Sequence, residues 1–316
     1  MDMDNNFNDE VDLKSLFLIL WNKKLLILTA TLISALISVY VAINKPNIYK
    51  SSALVMVIES SSGGGIASTL SSQYGGLASL AGISLPSTGG VDKSSLAIET
   101  IKSRNFFKYL ITKNNILPML MAPKKYDPLL KELILDNKKY DTNTNTWLKD
   151  EDGEDQEPSF LESYSQYKDI LSITKDDDTG YLDISILHLS PIFAENFLSL
   201  ILSEVNTITR ENDLDQSNKA MDYLTSLAPK TTIAGVKNSM NKLIESQLET
   251  QMLANVNEDY LLQSIDPPFV PELKHAPSGA KISIFGTVTG CFLSILLVLF
   301  YSMFFLSKEF LNINRK

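Results

Sequence analysis

The chain has 316 residues and a net charge of −9, from 37 acidic and 28 basic side chains. This acidic balance argues against nucleic acid as a partner, and against anionic lipid headgroups as the main partner, because both attract lysine and arginine. The only cysteine, Cys291, lies in a long apolar run. The polar part of the chain therefore has neither a disulfide nor a thiolate metal site.

Two uncharged apolar runs lie near the ends of the sequence, at 25–43 and 282–306. They hold 19 and 25 residues, and a helix of about 20 residues crosses the hydrocarbon core of a bilayer. We predict two transmembrane helices, tails at 1–24 and 307–316, and a large domain at 44–281. A cleaved signal peptide is the alternative for the first run, which is long for a signal and lacks a small-x-small cleavage site.

Basic residues near the two runs favour one orientation. Six lie on the tail side and four on the loop side, so the positive-inside rule predicts cytoplasmic tails and a periplasmic domain. We also expect aromatic anchors at the tail-side interface, from Trp21, Tyr301, Phe304 and Phe305. The segment 11–22 predicts either an amphipathic helix or a simple extension of the first transmembrane helix.

Small residues recur every four positions along one face of each apolar run. Such a face lets helix backbones approach closely, so we predict helix packing there, either within one chain or between neighbouring chains. The residues are Ala30, Ser34, Ser38 and Ala42 in the first run, and Gly286, Gly290 and Ser294 in the second.

The first part of the large domain, 44–190, predicts a mixed α/β base. It begins with a buried strand at 49–59 and continues as a Gly-rich loop at 60–90. We then predict a helix from Ser94 or Ser95 that ends at Pro118.

Two further features complete the predicted base. The polar stretch 123–157, with its acidic run at 150–157, predicts an irregular insertion around a short helix near 129–135. Strands at 170–174 and 181–187 predict a hairpin with Gly180 in its turn.

The segment 191–264 predicts two long helices that extend from this base. Pro191 begins the first, at 192–227, and the second runs from about 232 to 262. The second carries an apolar stripe interrupted by Gln247 and Gln251, which favours a seam facing a partner over a helical hairpin packed only on itself. The predicted seam residues are Met240, Leu243, Ile244, Leu248 and Met252.

A proline-rich segment, 265–281, leads into the second apolar run. Proline fixes φ and removes a backbone donor, so we predict a stiff extended connection that is neither a helix nor a central strand. Its prolines are Pro267, Pro268, Pro271 and Pro277.

Sequence motifs for catalysis are missing. No Gly-Lys dipeptide occurs, so no phosphate-binding loop of the ATPase or kinase type is expected. The only histidines, His188 and His275, have no motif partners, and the acidic runs do not have the spacing of a calcium loop. We predict no catalytic, cofactor or metal site, although a carboxylate pair of a periplasmic enzyme stays open.

Several segments resemble the Wzz-type polysaccharide co-polymerases, the chain length determinant proteins of bacterial surface polysaccharides. The resemblance is carried by VDLKSLFLILWNKKLLIL, by LASLAGISLP, by the helix containing SRNFF, and by LIESQLETQMLANVNEDYLLQSIDPPFVPE before the second apolar run. The last block is the most specific, since Pro268, Pro271 and Pro277 match the family's proline-rich stretch. The acidic insertion at 150–157 and the polar stretch 210–219 match nothing in the family pattern.

The resemblance implies an α+β membrane protein of the bacterial inner membrane, with two transmembrane helices flanking a periplasmic domain that has a mixed α/β base and a long helical hairpin. It implies a non-enzymatic homo-oligomeric ring that regulates O-antigen chain length with a membrane polymerase. The lipid bilayer and the polysaccharide itself are further expected partners.

Two alternatives share parts of this description. One is an adaptor in capsule or exopolysaccharide export that works beside a separate tyrosine kinase. The other is a two-span sensor, for which the ten residues after Leu306 leave no expected output domain.

Overall fold

The computed structural model describes residues 20–21, 23–58, 93–230 and 234–313. The predicted amphipathic helix before the first apolar run and the Gly-rich loop at 60–90 lie outside these residues, apart from Leu20 and Trp21. The side chains of Phe304 and Phe305 also lie outside the described part.

Helices and strands alternate along the chain. The α-helices are α1 (Lys24–Asn44), α2 (Lys93–Lys102), α3 (Arg104–Lys113), α4 (Leu117–Met121), α5 (Phe160–Ile170), α6 (Pro191–Leu227), α7 (Ala234–Val256) and α8 (Gly279–Ile313). The strands are β1 (Tyr49–Val57), β2 (Pro123–Asp127), β3 (Glu132–Leu135), β4 (Tyr140–Asp141), β5 (Thr146–Trp147), β6 (Leu171–Lys175), β7 (Leu182–His188) and β8 (Leu262–Asp266).

The chain divides into two compact units. One comprises Met1–Asn47 and His275–Lys316, and the other comprises Ile48–Lys274. The first contains the two long apolar helices, and the second contains all eight strands named above together with α2 to α7. The predicted fold class, two apolar helices flanking a mixed helix and strand domain with a long helical hairpin, is confirmed.

A four-stranded antiparallel sheet with the order β6-β7-β1-β8 forms the base of the second unit. In β1 the buried residues alternate, as expected for a strand with one face in the core. The register between β1 and β7 runs from Tyr49 opposite His188 to Val55 opposite Leu182. The predicted β6–β7 hairpin is present, and Gly180 has the positive φ of 73° that its turn needs. Helix α6 packs against β1 and β7 and contributes Phe197, Leu198 and Ile201 to the core.

The helix predicted to run from Ser94 or Ser95 to Pro118 is wrong in its extent. It breaks at Ser103, whose hydroxyl caps α3 by accepting a hydrogen bond from the Phe106 amide. The freed carbonyls at the end of α2 are satisfied by α5, since Tyr167 and Tyr164 donate their hydroxyls to the carbonyls of Ile101 and Lys102. Pro118 does not end a helix but lies in the first turn of α4.

The short helix predicted near 129–135 is also wrong. This part of the insertion is the β2–β3 hairpin, followed by the small β4–β5 hairpin. The carboxylate of Asp127 accepts hydrogen bonds from the amides of Leu129 and Leu130, which closes a turn where a helix would have begun.

The first long helix begins at Pro191 as predicted, but the second ends earlier than expected. Helix α6 has 37 residues, or roughly 55 Å at the α-helical rise. Helix α7 ends at Val256, and Leu262 lies in β8, an edge strand paired with β1. Burial of Leu261 and Leu262 in the core of the sheet decides this difference.

Candidate functional site

The two apolar helices α1 and α8 pack against each other. The described residues Lys24–Asn44 and Gly279–Tyr301 are each long and apolar enough to cross a membrane. Ser34 donates its hydroxyl to the carbonyl of Gly286 at 3.0 Å, and Ser38 donates to the carbonyl of Ile282 at 2.8 Å. The residue number increases from Ser34 to Ser38 in α1 while that of the partner decreases from Gly286 to Ile282 in α8, so the two helices are antiparallel.

Glycine is required at this contact by the close approach of α1. A Cβ atom added to Gly286 would overlap the side chain of Ser38, and one added to Gly290 would overlap the side chain of Ser34. Of the other predicted packing residues, Ser294 is buried and donates to the carbonyl of Cys291, while Ala30 and Ala42 are half-buried. The structure thus brings the serines and glycines together within one chain.

The predicted seam on α7 divides between two faces of the helix. Met240 is buried, and Leu243 and Ile244 are half-buried. Leu248 and Met252 point away from this face, with 51% and 58% of their surface exposed. The five residues therefore do not form one continuous surface.

Both glutamines that interrupt the apolar stripe of α7 lie beside α6, as in the alternative of a helical hairpin packed on itself. The side-chain amide of Gln251 donates to the side-chain oxygen of Asn218 on α6, and the backbone carbonyl of Gln247 accepts from the hydroxyl of Ser217. Ser217 on α6 and Thr250 on α7 are both buried. The middle of the α6–α7 pair is therefore held by polar contacts, which explains the weak apolar periodicity of both helices.

The N-terminal half of α6 is hydrogen-bonded to β8 and the residue before it through the buried side-chain amide of Asn206. Asn206 accepts hydrogen bonds from the amides of Leu261 and Leu262 and donates to the carbonyl of Leu262.

Nearby, the hydroxyl of Tyr260 donates a hydrogen bond to the carboxylate of Asp213 at 2.7 Å. Burial is the main cause that raises the pKa of Tyr260. A groove of about 430 Å³ lies beside these residues, lined by polar side chains such as Asp213 and Gln216 and by apolar ones such as Leu96 and Leu261.

A second polar contact joins α6 to α3. The buried carboxylate of Glu204 accepts hydrogen bonds from Lys113 at 2.7 Å and from the hydroxyl of Tyr109 at 2.8 Å. The hydrogen bond to Glu204 is the main cause that raises the pKa of Lys113. This arrangement satisfies a buried charge and fixes α3 against the long helix.

His188 is a structural residue of the core. Its Nδ1 accepts from the Ser190 amide and its Nε2 lies 3.1 Å from the carbonyl of Met119, so the proton is assigned to Nε2. The ring packs on Phe193 at a centroid distance of 4.3 Å. Burial lowers the pKa of His188 to about 4, which keeps the ring neutral near neutral pH.

The prolines of the proline-rich segment fall in both compact units. Pro267, Pro268 and Pro271 follow β8 in the second unit, where the carbonyl of Phe269 accepts a 2.8 Å hydrogen bond from Ser51. Pro271 is buried. Pro277 belongs to the first unit and follows a cis peptide bond.

The acidic run forms a turn. Asp150 accepts hydrogen bonds from the amides of Asp152 and Glu154, and Gly153 adopts a positive φ of 83°. Among the described residues no group of three or more acidic, histidine or cysteine side chains is placed to hold a metal ion.

A protein-family model matches the N-terminal third of the chain. The model of the family described as chain length determinant protein, Wzz, matches residues 9–113. The resemblance expected from the sequence is confirmed over this part of the chain. The match covers α1, β1, α2 and α3, whereas the C-terminal block expected to be most specific lies outside it.

Two solved structures to which this chain is similar are polysaccharide co-polymerases. A full-length bacterial polysaccharide co-polymerase is 13% identical, with 93% of this chain and 98% of that chain covered and a TM-score of 0.37. A fragment of WzzB, the polysaccharide co-polymerase from Salmonella Typhimurium, is 11% identical, with 73% of this chain and 100% of that chain covered and a TM-score of 0.28. A search of curated proteins finds no significant match. Both TM-scores are below 0.5, so the likeness to this family rests on the match of residues 9–113 to the family model.

Proposed function

We propose that this chain is a non-enzymatic regulator of surface polysaccharide chain length, of the O-antigen type. The observation that carries the proposal is the match of residues 9–113 to the chain length determinant family. The two apolar helices support it, because a protein held in the membrane is suitably placed to meet a membrane-embedded polymerase.

The proposed location is the bacterial inner membrane, with both termini in the cytoplasm and residues 45–281 in the periplasm. The lysine bias supports this orientation. Alkaline phosphatase fused after Asp150 should be active, and the same enzyme fused after Lys316 should be inactive. An inactive fusion at Asp150 would overturn the topology.

The proposed mechanism is control by binding. A regulator that performs no chemistry can change product length only through the time that polymerase and growing polymer remain associated. Product lengths should then cluster around a preferred value. A constant probability of termination would instead give a geometric decay.

We further propose a homo-oligomeric ring. The outer face of α7 supports this assembly, because Leu248 and Met252 leave an apolar strip exposed on a helix whose inner face already packs on α6. The polymerase and the polysaccharide are the other proposed partners.

Deletion of the gene followed by gel display of lipopolysaccharide tests the proposal. The expected result is a ladder that loses its preferred length while polymer is still made, and reintroduction of the full chain should restore the preferred length. Loss of all polymer would overturn the regulator assignment in favour of an enzyme or an essential export component. An unchanged ladder with altered capsule would exclude the O-antigen pathway.

A further inference from the structure

Two leucines lie exposed at the turn of the β2–β3 hairpin. Leu129 has 93% and Leu130 has 68% of its surface exposed. Large aliphatic side chains this exposed and adjacent to each other gain free energy only when another apolar phase covers them.

The turn that contains the leucines is stabilised by side-chain and backbone hydrogen bonds. The Asp127 carboxylate accepts hydrogen bonds from both leucine amides, at 2.9 and 3.3 Å. Lys131 follows with a φ of 55°, and the strands pair directly on either side, with Asp127 opposite Glu132. The leucines are therefore held outward by the local fold.

The hairpin turn also lies beside the strand that follows the first predicted membrane helix in the chain. Tyr126, next to the turn, packs edge-on against Tyr49 with ring centroids 6.0 Å apart. Tyr49 follows the end of α1 at Asn44 by only five residues, which span at most about 17 Å when fully extended. The covalent connection therefore limits how far Tyr49, and the turn that lies beside it, can be from the end of α1.

The charge around the turn differs from that of the whole chain. Within 123–139 five lysines accompany three acidic residues, in a protein whose net charge is −9. Lysine next to exposed apolar residues suits the membrane interface, because its stem packs along lipid while its ammonium group reaches phosphate. The lysines are Lys124, Lys125, Lys131, Lys138 and Lys139.

A similar exposed leucine lies near the second apolar helix. Leu273 has 84% of its surface exposed and precedes the start of α8, at Gly279, by six residues. An exposed leucine thus also lies next to the point where the chain leaves the second compact unit, between Lys274 and His275.

We propose that the β2–β3 hairpin is a membrane-interface anchor, with Leu129 and Leu130 inserted among phospholipid headgroups and upper acyl chains. The apolar face of an interfacial amphipathic helix lies about 5–10 Å deep in the boundary between headgroups and acyl chains, and the leucines would enter the same region. The occupant of the exposed surface is lipid, and the anchor fixes the second compact unit on the bilayer independently of any role in polysaccharide synthesis.

Depth-dependent quenching tests this anchor in the full chain. Cys291 is replaced by Ser, and a single cysteine is introduced as Leu129→Cys and labelled with the environment-sensitive dye NBD. The protein is reconstituted into vesicles of phosphatidylethanolamine and phosphatidylglycerol, with and without nitroxide lipids. The matched control is Asp178→Cys in the exposed β6–β7 turn, at the opposite end of β1, about 20 Å from Tyr49 along the strand.

The expected result is several-fold stronger quenching by shallow nitroxide lipids at position 129 than at position 178. Equal and weak quenching at both positions would overturn the anchor. A blue-shifted dye at position 129 that nitroxide lipids do not quench would also overturn it, because protein would then cover the leucines. Leu130→Cys gives a second, independent reading, and none of these outcomes depends on polymer length control.

Discussion

The hydroxyl of Ser38 donates a 2.8 Å hydrogen bond to the carbonyl of Ile282, one turn before Gly286. The space for this contact exists because Gly286 has no Cβ atom where the Ser38 side chain lies. Polar contacts of this kind hold helices together in lipid, where the hydrophobic effect contributes nothing to helix association. The pair therefore predicts how substitutions in α8 act.

Replacement of Gly286 and Gly290 by Leu should separate α1 from α8. The larger side chains would overlap Ser38 and Ser34, and the loss of two interhelical hydrogen bonds alone costs about 1 kcal/mol. We expect a lower melting temperature and a weaker assembly in mild detergent, measured by thermal unfolding and size-exclusion chromatography. Val288→Leu, on the exposed face of the same helix, is the control, and equal effects of both changes would show that packing at the glycines is unimportant.

Small residues mark the packing faces in the sequence, but their partners are not encoded locally. The spacing of Ser34 and Ser38 is visible in the sequence, whereas the pairing with Gly286 and Ile282 depends on an antiparallel contact across about 250 intervening residues. The sequence could therefore indicate the faces while leaving open whether they meet within one chain.

Acidification should destabilise the second compact unit through His188. The folded-state pKa of about 4 lies below the ordinary value of 6.5, so the unfolded chain binds more protons between these values. The stabilisation is complete above pH 6.5 and falls as pH decreases toward 4, by about 3 kcal/mol at most. Thermal unfolding of the full chain in detergent at pH 7.5 and 5.0 measures this loss.

His188→Gln provides the comparison for the pH effect. Carboxylates such as Asp141 and Asp176, whose pKa values are lowered by hydrogen bonds from Asn143 and Thr179 respectively, also favour the folded state at higher pH. Only the difference in pH dependence between the two proteins reports on the histidine. The variant should be less stable at pH 7.5 but lose less stability on acidification, and parallel pH profiles would contradict the assignment.

Asn206→Ala should strongly destabilise the junction of α6 and β8. Truncation removes three hydrogen bonds and leaves buried backbone groups of Leu261 and Leu262 without these partners, at a cost of about 2–4 kcal/mol. The melting temperature should fall by roughly 5–10 °C. Thr207→Ala, which removes only a local bond to the Ser203 carbonyl, should have a small effect.

The end of α7 shows why the sequence could not predict this junction. Helical spacing alone extended the helix to 262, but Leu261 and Leu262 bind Asn206, more than 50 residues earlier in the chain. Local patterns did predict β1, the β6–β7 hairpin and the start of α6 at Pro191, because alternating burial, a turn glycine and a proline act within a few residues. The capping box of Ser159 and Glu162 was a local signal for α5 that our sequence analysis missed.

Leu248→Ser with Met252→Ser should weaken oligomerisation without unfolding the domain. Both side chains are more than half exposed, so their removal costs the isolated chain little, whereas a copy packed on them would lose apolar burial. Mass determination in mild detergent measures the assembly. Met240→Ser is the contrasting variant, because Met240 is buried and its loss should lower the melting temperature. An unchanged assembly in a well-folded double variant would place the interface elsewhere.

Replacement of Pro268, Pro271 and Pro277 by Ala should alter length control while the protein still assembles. Alanine frees φ at each position, so the connection between β8 and α8 gains conformational freedom. If a stiff connection is needed to hold the polymerase and polymer together for a defined time, the preferred polysaccharide length should shift or broaden on lipopolysaccharide gels. Glu272→Ala, at an exposed position in the same segment and with no change in proline content, serves as the control. A triple variant that assembles and keeps the original length distribution would show that stiffness of this segment has no part in the mechanism.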